Sequence, residues 1–220
     1  VDIDEAENAQ TWQMQTGHVM GTSLYYQATG IYRTQEEIDA TPHPSGTRVG
    51  DLIYKDVNDD KKIDSKDRVR MDRTNTPEII YGLNLSLTYK QFDMGILFQG
   101  QARAWQYIYL QSGLQGNTLK DLIENRYTED NPNSKYPNLT SYTSEVSGYQ
   151  STFWLKDASF LRLKNVEIGY HLPASLLNKV HVEALRFYVS GYNLLTFDKL
   201  KWFDPEGNST TAAFYPQNRI

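Results

Sequence analysis

The 220 residues predict an all-β fold: antiparallel transmembrane β-barrel strands, part of a larger barrel, with long extracellular loops. Three observations predict it. Two adjoining segments alternate apolar and polar residues with a strict period of two. The link between them is two residues long. Along the chain, long connections alternate with short ones.

In the first segment Ile79, Tyr81, Leu83, Leu85, Leu87 and Tyr89 share a face, with Ile80, Gly82, Asn84, Ser86, Thr88 and Lys90 opposite. In the second, Phe92, Met94, Ile96 and Phe98 stand against Asp93, Gly95, Leu97 and Gln99. Successive side chains of a strand point to opposite faces, so each segment is a strand with one apolar and one mostly polar side. The tight link at Lys90-Gln91 makes them a hairpin. A third strand is expected over Phe160–His171, where Val166, Ile168, Tyr170 and Leu172 oppose Asn165, Glu167, Gly169 and His171. Pro173 ends it, and a connector over 174–182 leads to a fourth over 185–192, with Leu185, Phe187 and Val189 opposite Arg186, Tyr188 and Ser190. A weaker strand is expected near 23–32.

The connections then run long (33–77), short (90–91), long (102–158), short (173–182) and long (193 onward). Loops beyond ~15 residues are uncommon in compact domains. Alternating with short turns, they have the form of an outer-membrane barrel, with periplasmic turns at one end and extracellular loops at the other. The strands also approach the ~9–11 residues that a tilted membrane strand needs. A soluble sandwich with elaborated loops on one edge has the same pattern. About five strands do not close a membrane barrel, which takes at least ~8, so the rest of the wall is expected outside these residues. The opening Val1-Asp2-Ile3-Asp4 has neither the basic start nor the apolar core of a signal peptide, and a piece of a longer chain is expected.

Composition narrows the classes. Hydrophobic residues make up 39% and mean hydropathy is −0.61, and no run approaches the ~18 apolar residues of a membrane helix. Barrel strands carry a much weaker hydropathy signal and remain compatible. The net charge of −5 and the lack of a basic stripe argue against nucleic acid as a partner. With no cysteine there is no disulfide, thiolate metal site or cysteine nucleophile. The 16 Tyr, 8 Phe and 4 Trp suit β-structure, interface girdles or sugar-binding surfaces.

Inside the long connections, Thr34-Gln35-Glu36-Glu37 is a capping box that predicts a short helix. Thr118 is placed to cap another, with Leu119, Leu122 and Ile123 on one face. Asn131-Pro132-Asn133-Ser134 and Asp204-Pro205-Glu206-Gly207-Asn208 are turn chemistry.

The strongest chemical signal runs from Asp56 to Asp67. Oxygen ligands for Ca²⁺ are available from Asp56, Asn58, Asp60, Asp64 and Asp67, with Lys62 giving its backbone carbonyl and Ile63 as the apolar position. Calcium takes ~6–8 oxygens, and this spacing wraps them around one ion. Lys61 stands where a glycine normally makes the sharp turn, and Asp67 is shorter than the usual bidentate Glu. An acidic solvated turn that binds nothing is the plainer reading. A calcium role here would be structural.

No catalytic residues are predicted, and the chain does not read as an enzyme. His18, His43, His171 and His181 lack metal-type spacing, and no nucleophile elbow or phosphate loop is present. His171, beside Glu167 on a polar strand face, suits barrel lining. Glu124, Asp157 and Glu167 are the carboxylates a glycosidase reading would use, among 27 acidic residues that all offer such candidates. Trp105, Tyr107 and Tyr109 are candidate substrate-binding residues, since aromatic rings stack on sugars; Trp202 and Phe203 form a second cluster. Loop packing or an interface girdle is the commoner fate of such residues.

The motifs, taken in order, resemble the SusC/RagA group of TonB-dependent outer-membrane transporters of Bacteroidetes. The segment Val49-Gly50-Asp51-Leu52-Ile53-Tyr54-Lys55-Asp56-Val57-Asn58 is similar to the family's G-D-[IL]-x-Y-K-D-[LV]-N stretch before its acidic loop. Asp67-Arg68, Tyr81-Gly82-Leu83-Asn84 and Phe98-Gln99-Gly100 fit the family's segments beyond that loop. Ala158-Ser159-Phe160-Leu161-Arg162-Leu163-Lys164-Asn165 resembles its A-S-[FY]-L-R-L-K-N block. Gly169-Tyr170, Leu172-Pro173 and Ser190-Gly191-Tyr192-Asn193-Leu194-Leu195-Thr196 resemble its last turns and strands. The order and spacing carry the specificity.

The resemblance implies that residues 1–220 are the C-terminal portion of such a receptor barrel, of roughly 22 strands. On this division 33–77 is an extracellular loop carrying the calcium-type loop 56–67, and 102–158 is a second long extracellular loop. It also implies a plug and TonB contacts in parts of the chain not present here, a SusD-like surface lipoprotein as partner, outer-membrane lipid around the wall, and oligosaccharide or peptide as cargo. The family's acidic loop usually has Gly where Asp59 and Lys61 stand. The rival reading is a soluble, calcium-stabilised cell-surface β-domain that binds carbohydrate. It requires the apolar strand faces to close into a dry core, whereas the transporter reading turns Tyr81, Leu83, Leu85, Leu87, Phe92, Met94, Ile96 and Phe98 toward lipid.

Overall fold

A computed structural model describes residues 5, 9–108, 120–138, 146, 148–179, 181–200 and 203–207. In chain order the first elements are a 3-10 turn (Thr11–Gln13), β1 (Ser23–Tyr26), β2 (Ala28–Ile31), α1 (Gln35–Ala40), β3 (Leu52–Tyr54), a second 3-10 turn (Ser65–Asp67) and β4 (Arg68–Met71). The long strands β5 (Ile79–Tyr89) and β6 (Phe92–Ala102) come next, then β7 (Trp105–Tyr107), α2 (Lys120–Glu124) and β8 (Leu155–Asp157). Last come β9 (Phe160–His171), α3 (Ala174–Leu177) and β10 (Arg186–Asp198). The chain divides into two compact units: Val1–Asn75 with Gln106–Lys156, and Thr76–Trp105 with Asp157–Gly207.

In the first unit the expected single strand over 23–32 breaks in two, and neither half joins the long strands. The halves take successive partners: β2 pairs with β3 (Ile31↔Leu52, Ala28↔Tyr54) and β1 with β4 (Tyr26↔Arg68, Ser23↔Met71), both antiparallel. The two ladders therefore form one pairing that the acidic loop leaves after Tyr54 and rejoins at Arg68. Around the break, Tyr26 N–H donates to Gln150 O (2.9 Å) and Thr152 N–H to Tyr26 O (2.9 Å). Leu52, Tyr54, Ile63 and Val146 make a buried cluster, flanked by half-buried Tyr26, Tyr149 and Phe153. Burying a side chain such as Leu52 stabilises by roughly 2 kcal/mol.

The residues expected as loops thus carry a core of their own. Arg33 ties them further, donating to Ser134 O (2.7 Å) and Ser134 Oγ (3.1 Å), and Asn138 N–H reaches Gly50 O (2.6 Å). Gly50, at φ +94°, lies under Tyr127, where an added Cβ would sit 2.2 Å from the ring. The helix predicted at Thr34 forms as α1, and Thr34 Oγ1 accepts from Glu37 N–H (3.3 Å). Glu37 reaches back one residue further than a capping box requires, to Arg33 N–H (2.6 Å). Helix α2 covers Leu122 and Ile123; Thr118 and Leu119 lie outside the described residues.

In the second unit the four long strands form an antiparallel sheet in the order β10-β9-β6-β5. The Lys90-Gln91 hairpin forms as expected, Tyr89 facing Phe92, with Lys90 at φ +55°. Strand β10 extends further than the expected 185–192, to Asp198. The extension crosses an irregularity that the alternation does not announce. Opposite Lys164 of β9, strand β6 has no residue, whereas β10 has two, Asn193 and Leu194. Asn193 takes φ +53°, which asparagine tolerates better than most residues. This bulge accounts for a phase change in β9, where the apolar residues switch from odd (Leu161, Leu163) to even (Val166, Ile168, Tyr170) positions.

Candidate functional site

The pairing registers give the sheet two chemically distinct faces. On the first, residues form rows across all four strands. Near the hairpin the row is Tyr89, Phe92, Tyr170 and Phe187. Next come Leu87, Met94, Ile168 and Val189, then Leu85, Ile96, Val166 and Gly191. The fourth row is Leu83, Phe98, Leu163 and Leu195, and the last is Tyr81, Gly100, Leu161 and Phe197. Leu83 is 53% exposed and Val189 78%, so this face is bare. Two glycines accommodate neighbours: the Tyr81 ring covers Gly100 while its OH donates to Phe160 O (2.9 Å), and Leu194 leans over Gly191.

Five rows span eight residue steps, roughly 26 Å along the strand and about 20 Å along the membrane normal at a tilt of ~40°. With four aromatics in the row beside the turn, this approaches the apolar band and aromatic girdle of a membrane barrel wall. Monomeric soluble proteins rarely leave so large an apolar patch uncovered. The closed dry core that the soluble-domain reading requires is not formed by these residues.

The second face is polar and held by charge. Arg186 lies flat across β9, donating to Asp93 (Nη2–Oδ2 2.5 Å, Nε–Oδ1 3.1 Å) and Glu167 (Nη2–Oε1 2.6 Å). His171 Nε2 is 2.9 Å from Asp93 Oδ1. Gly169 makes this crossing possible, since a Cβ there would meet the guanidinium at 2.4–2.6 Å. Beside it a shallow depression of about 370 Å³ is lined by Ser86, Thr88, Asp93, Gly95, Asn165 and Glu167. At the sheet's other end Arg162, 4% exposed, binds Asp204 and Glu206. The expectation that His171 and Glu167 line a polar wall fits this arrangement: each joins the network around Arg186 and Asp93.

In the acidic loop the carboxylates serve the loop's own backbone. Asp67, fully buried, accepts from Val57 N–H and Asp64 N–H, both at 2.8 Å. Asp56 accepts from Lys61 N–H (2.9 Å), Asp60 from Lys62 N–H (3.0 Å) and Asp64 from Lys66 N–H (2.7 Å), while Asn58 Oδ1 accepts from Asp60 N–H (3.2 Å). Asp59 (φ +58°) and Lys61 (φ +66°) make the left-handed turns that glycine usually makes. Among the described residues no three Asp, Glu or His side chains converge as a metal-binding group. Asp56 Oδ1 is closed off from solvent without a hydrogen-bond partner.

The candidate aromatics Trp105 and Tyr107 stand two apart on β7, both half-buried, and Tyr107 meets Tyr25 at 5.8 Å between ring centres. Tyr109 and Trp202 lie outside the described residues. The sequence reading missed another aromatic group: Tyr149 stacks on Tyr26 (5.1 Å) and Tyr54 (5.7 Å). Burial pushes the Tyr54 hydroxyl well above its ordinary range, and it donates to Val146 O at 2.5 Å. Burial similarly raises Tyr136 to about 12, with Asp121 beside it adding to the shift. The glycosidase reading gains nothing from Glu167, which is bound up with Arg186, or from Asp157, which is paired with Lys199 (3.2 Å).

The sheet is a stretch of an outer-membrane β-barrel wall, open at both edges within these residues. No protein-family model matches the chain. It is 31% identical over 204 residues to TonB-dependent receptor P3 of Formosa agariphila, an alignment covering 90% of this chain and 20% of the relative. To the TonB-dependent receptor SusC of Bacteroides thetaiotaomicron it is 23% identical, covering 87% of this chain and 18% of that protein. Among solved structures it is similar to the RagAB peptide transporter, with TM-score 0.65, 26% identity, and coverage of 89% of this chain and 21% of that one. The chain spans about a fifth of the length of the relatives it matches. It is a SusC/RagA-like TonB-dependent transporter segment, and its place is the bacterial outer membrane.

Proposed function

We propose that this chain supplies part of the wall of a TonB-dependent transporter that imports oligosaccharide or peptide, works with a SusD-like lipoprotein, and catalyses no reaction. The observation that carries the proposal is the two-faced sheet: five apolar rows against lipid, and on the reverse a polar, ion-paired surface suited to line a watery passage. The similarity to SusC and to a peptide importer supports the cargo classes and the partner.

The test is purification of the full-length protein from outer membranes in detergent, with mass spectrometry of what copurifies. Dependence on detergent together with a copurifying lipoprotein and bound glycan or peptide is the expected result. A protein that stays monodisperse in water without detergent overturns the proposal.

Trp105, Tyr107 and Tyr109 remain the proposed cargo-stacking residues, and their replacement by alanine is expected to weaken cargo binding while sparing assembly. For the loop 56–67 we propose a self-closed turn in which Asp56 Oδ1 offers an oxygen to calcium. Slower amide exchange at Lys61 and Lys62 on adding calcium is the expected sign; exchange unchanged in calcium or chelator removes the ion from the account.

A further inference from the structure

The turn segment Asp204-Pro205-Glu206-Gly207 does not project away from the sheet. It folds back over the polar face at the end remote from the Lys90-Gln91 hairpin, and a set of bonds within this unit holds it there. Arg162 Nη2 donates to Asp204 Oδ1 (2.7 Å) and Nη1 to Glu206 Oε2 (2.5 Å), while Nε is steadied by Thr196 Oγ1 (2.9 Å). Lys164, the bulge residue, reaches both Glu206 oxygens (2.7 and 2.8 Å). Gln101 Nε2 donates to Pro205 O (3.1 Å) and to Ala158 O (3.0 Å). The turn is closed internally, Gly207 N–H donating to Asp204 O (3.0 Å) and Glu206 N–H to Asp204 Oδ1 (2.9 Å).

Such a set is unusual for a surface turn. Arg162 is 4% exposed, and its guanidinium also lies over the Phe160 ring at 5.1 Å. Pro205 is buried. A buried arginine meeting two carboxylates in fixed geometry loses several charge-assisted bonds if the segment lifts, and is then left buried without them. The segment is therefore anchored rather than resting.

We infer that Asp204–Gly207 is an inward strap that narrows the passage along this wall, and that Arg162 is the residue holding it in place. The inference rests on the proposed reading that the polar face lines that passage. Cargo passing this stretch of wall would have to move past a fixed protrusion, which favours slender, extended chains over bulky branched ones. Arg162 is a positioning residue: it acts through the strap and not on the cargo.

Maleimide labelling of the full-length protein in outer membranes tests this. A cysteine replaces Gln99, the polar-face partner of Arg162 across β6 and β9, and is challenged with a small water-soluble maleimide and with one carrying a long polyethylene-glycol chain. A cysteine at Pro205 reports separately on strap release. The measurements are made with the strap intact and with Asp204→Asn and Glu206→Gln combined, which leave the β9 anchor unaltered. With the strap intact, Gln99→Cys should react with the small reagent and far more slowly with the bulky one. Removing the two charges should raise Pro205→Cys labelling at least about tenfold, the effect of losing charge-assisted bonds, and bring the bulky reagent's rate at position 99 toward the small one's. Strap release without any change in the bulky reagent's rate overturns the narrowing role. Unchanged labelling at position 205 overturns the anchoring role. Failure of the small polar reagent to reach position 99 in either background overturns the reading of the polar face, and the strap with it. Replacing Lys164 by Gln, which cuts the strap more gently, gives an intermediate rate at position 205 if the ion pairs are the hold.

Discussion

Asp67 shows how one side chain can close a loop that its composition suggests was built for an ion. Its two oxygens take one backbone N–H each from Val57 and Asp64, at the neck where the chain leaves and rejoins the ladders. A hydrogen bond to a charged group contributes about 1.5–3 kcal/mol. Asp67→Asn, which turns one acceptor into a donor facing an N–H, should therefore cost about 2 kcal/mol in local opening and speed amide exchange at Val57 and Asp64 roughly thirtyfold. A rate within a factor of about two of the parent would mean that the other Asx contacts suffice. A second carboxylate in this unit makes a pH prediction. The His18 side chain and the Val19 N–H hold Asp72 below the usual carboxylate range. A lowered folded value favours the contact above the unfolded value near ~4, and the contribution is lost as pH falls through the folded value. Exchange at Val19 should thus be steady from neutral pH to about 5 and accelerate below about 4 relative to the intrinsic rate, and Asp72→Asn should abolish that acceleration.

At the scale of the element, the bulge explains both what alternation revealed and what it concealed. The hairpin of β5 and β6 was legible because every second residue keeps to its side from Ile79 to Phe98, and register is set once a two-residue turn is fixed. Strand β9 was legible in extent but not in phase. Leu161-Arg162-Leu163 and Val166-Glu167-Ile168 are each regular, with Lys164 as the extra residue between them. The break within 23–32 was hidden for another reason: it depends on partners that arrive from opposite sides of a thirteen-residue excursion (55–67), which no local pattern encodes. Long-range ion pairs were equally silent, since Arg162 and Arg186 resemble any strand arginine until Glu206 and Asp93 are brought to them; only Gly169, a gap on a polar strand face, hints at a crossing side chain. The bulge makes a sharp prediction. Deleting Lys164 restores strict alternation and leaves every β9 residue on its present face, so the full-length barrel should still assemble. Deleting Gly95 from β6 turns Ile96 and Phe98 to the polar face and should abolish assembly. The heat-dependent gel shift of folded barrels separates the two, and equal assembly of both would mean that β6 does not hold its register through its faces.

For the whole molecule the decisive quantity is the solvent on each side of the sheet. A strand of eleven residues, tilted by ~40°, rises about 27 Å along the membrane normal, enough for an apolar band with an aromatic edge. Leu85, with Ile96, Val166 and Gly191, lies in the middle row of that band, and Ser86, one residue on, points the other way beside Gly95. In a water-soluble domain both positions of this exposed strand would accept arginine at little cost, because β5 is exposed along its full length. In a barrel the same substitution meets hydrocarbon at one position and water at the other. An arginine at the bilayer midplane on the lipid face costs ~2–4 kcal/mol. Leu85→Arg should therefore destabilise the reconstituted full-length protein by about 2–4 kcal/mol, measured by denaturant titration in lipid vesicles. Ser86→Arg should cost less than about 1 kcal/mol, since its guanidinium can reach Glu167 and Asp93 across the depression. Tyr89→Arg, in the aromatic row beside the turn, should fall between them because the charge can reach the headgroups. A graded series of this kind, steep at Leu85 and shallow at Tyr89, is what a membrane produces: a strand face left in water would penalise neither position, and burial in the dry core of a soluble protein would penalise Leu85 and Tyr89 alike.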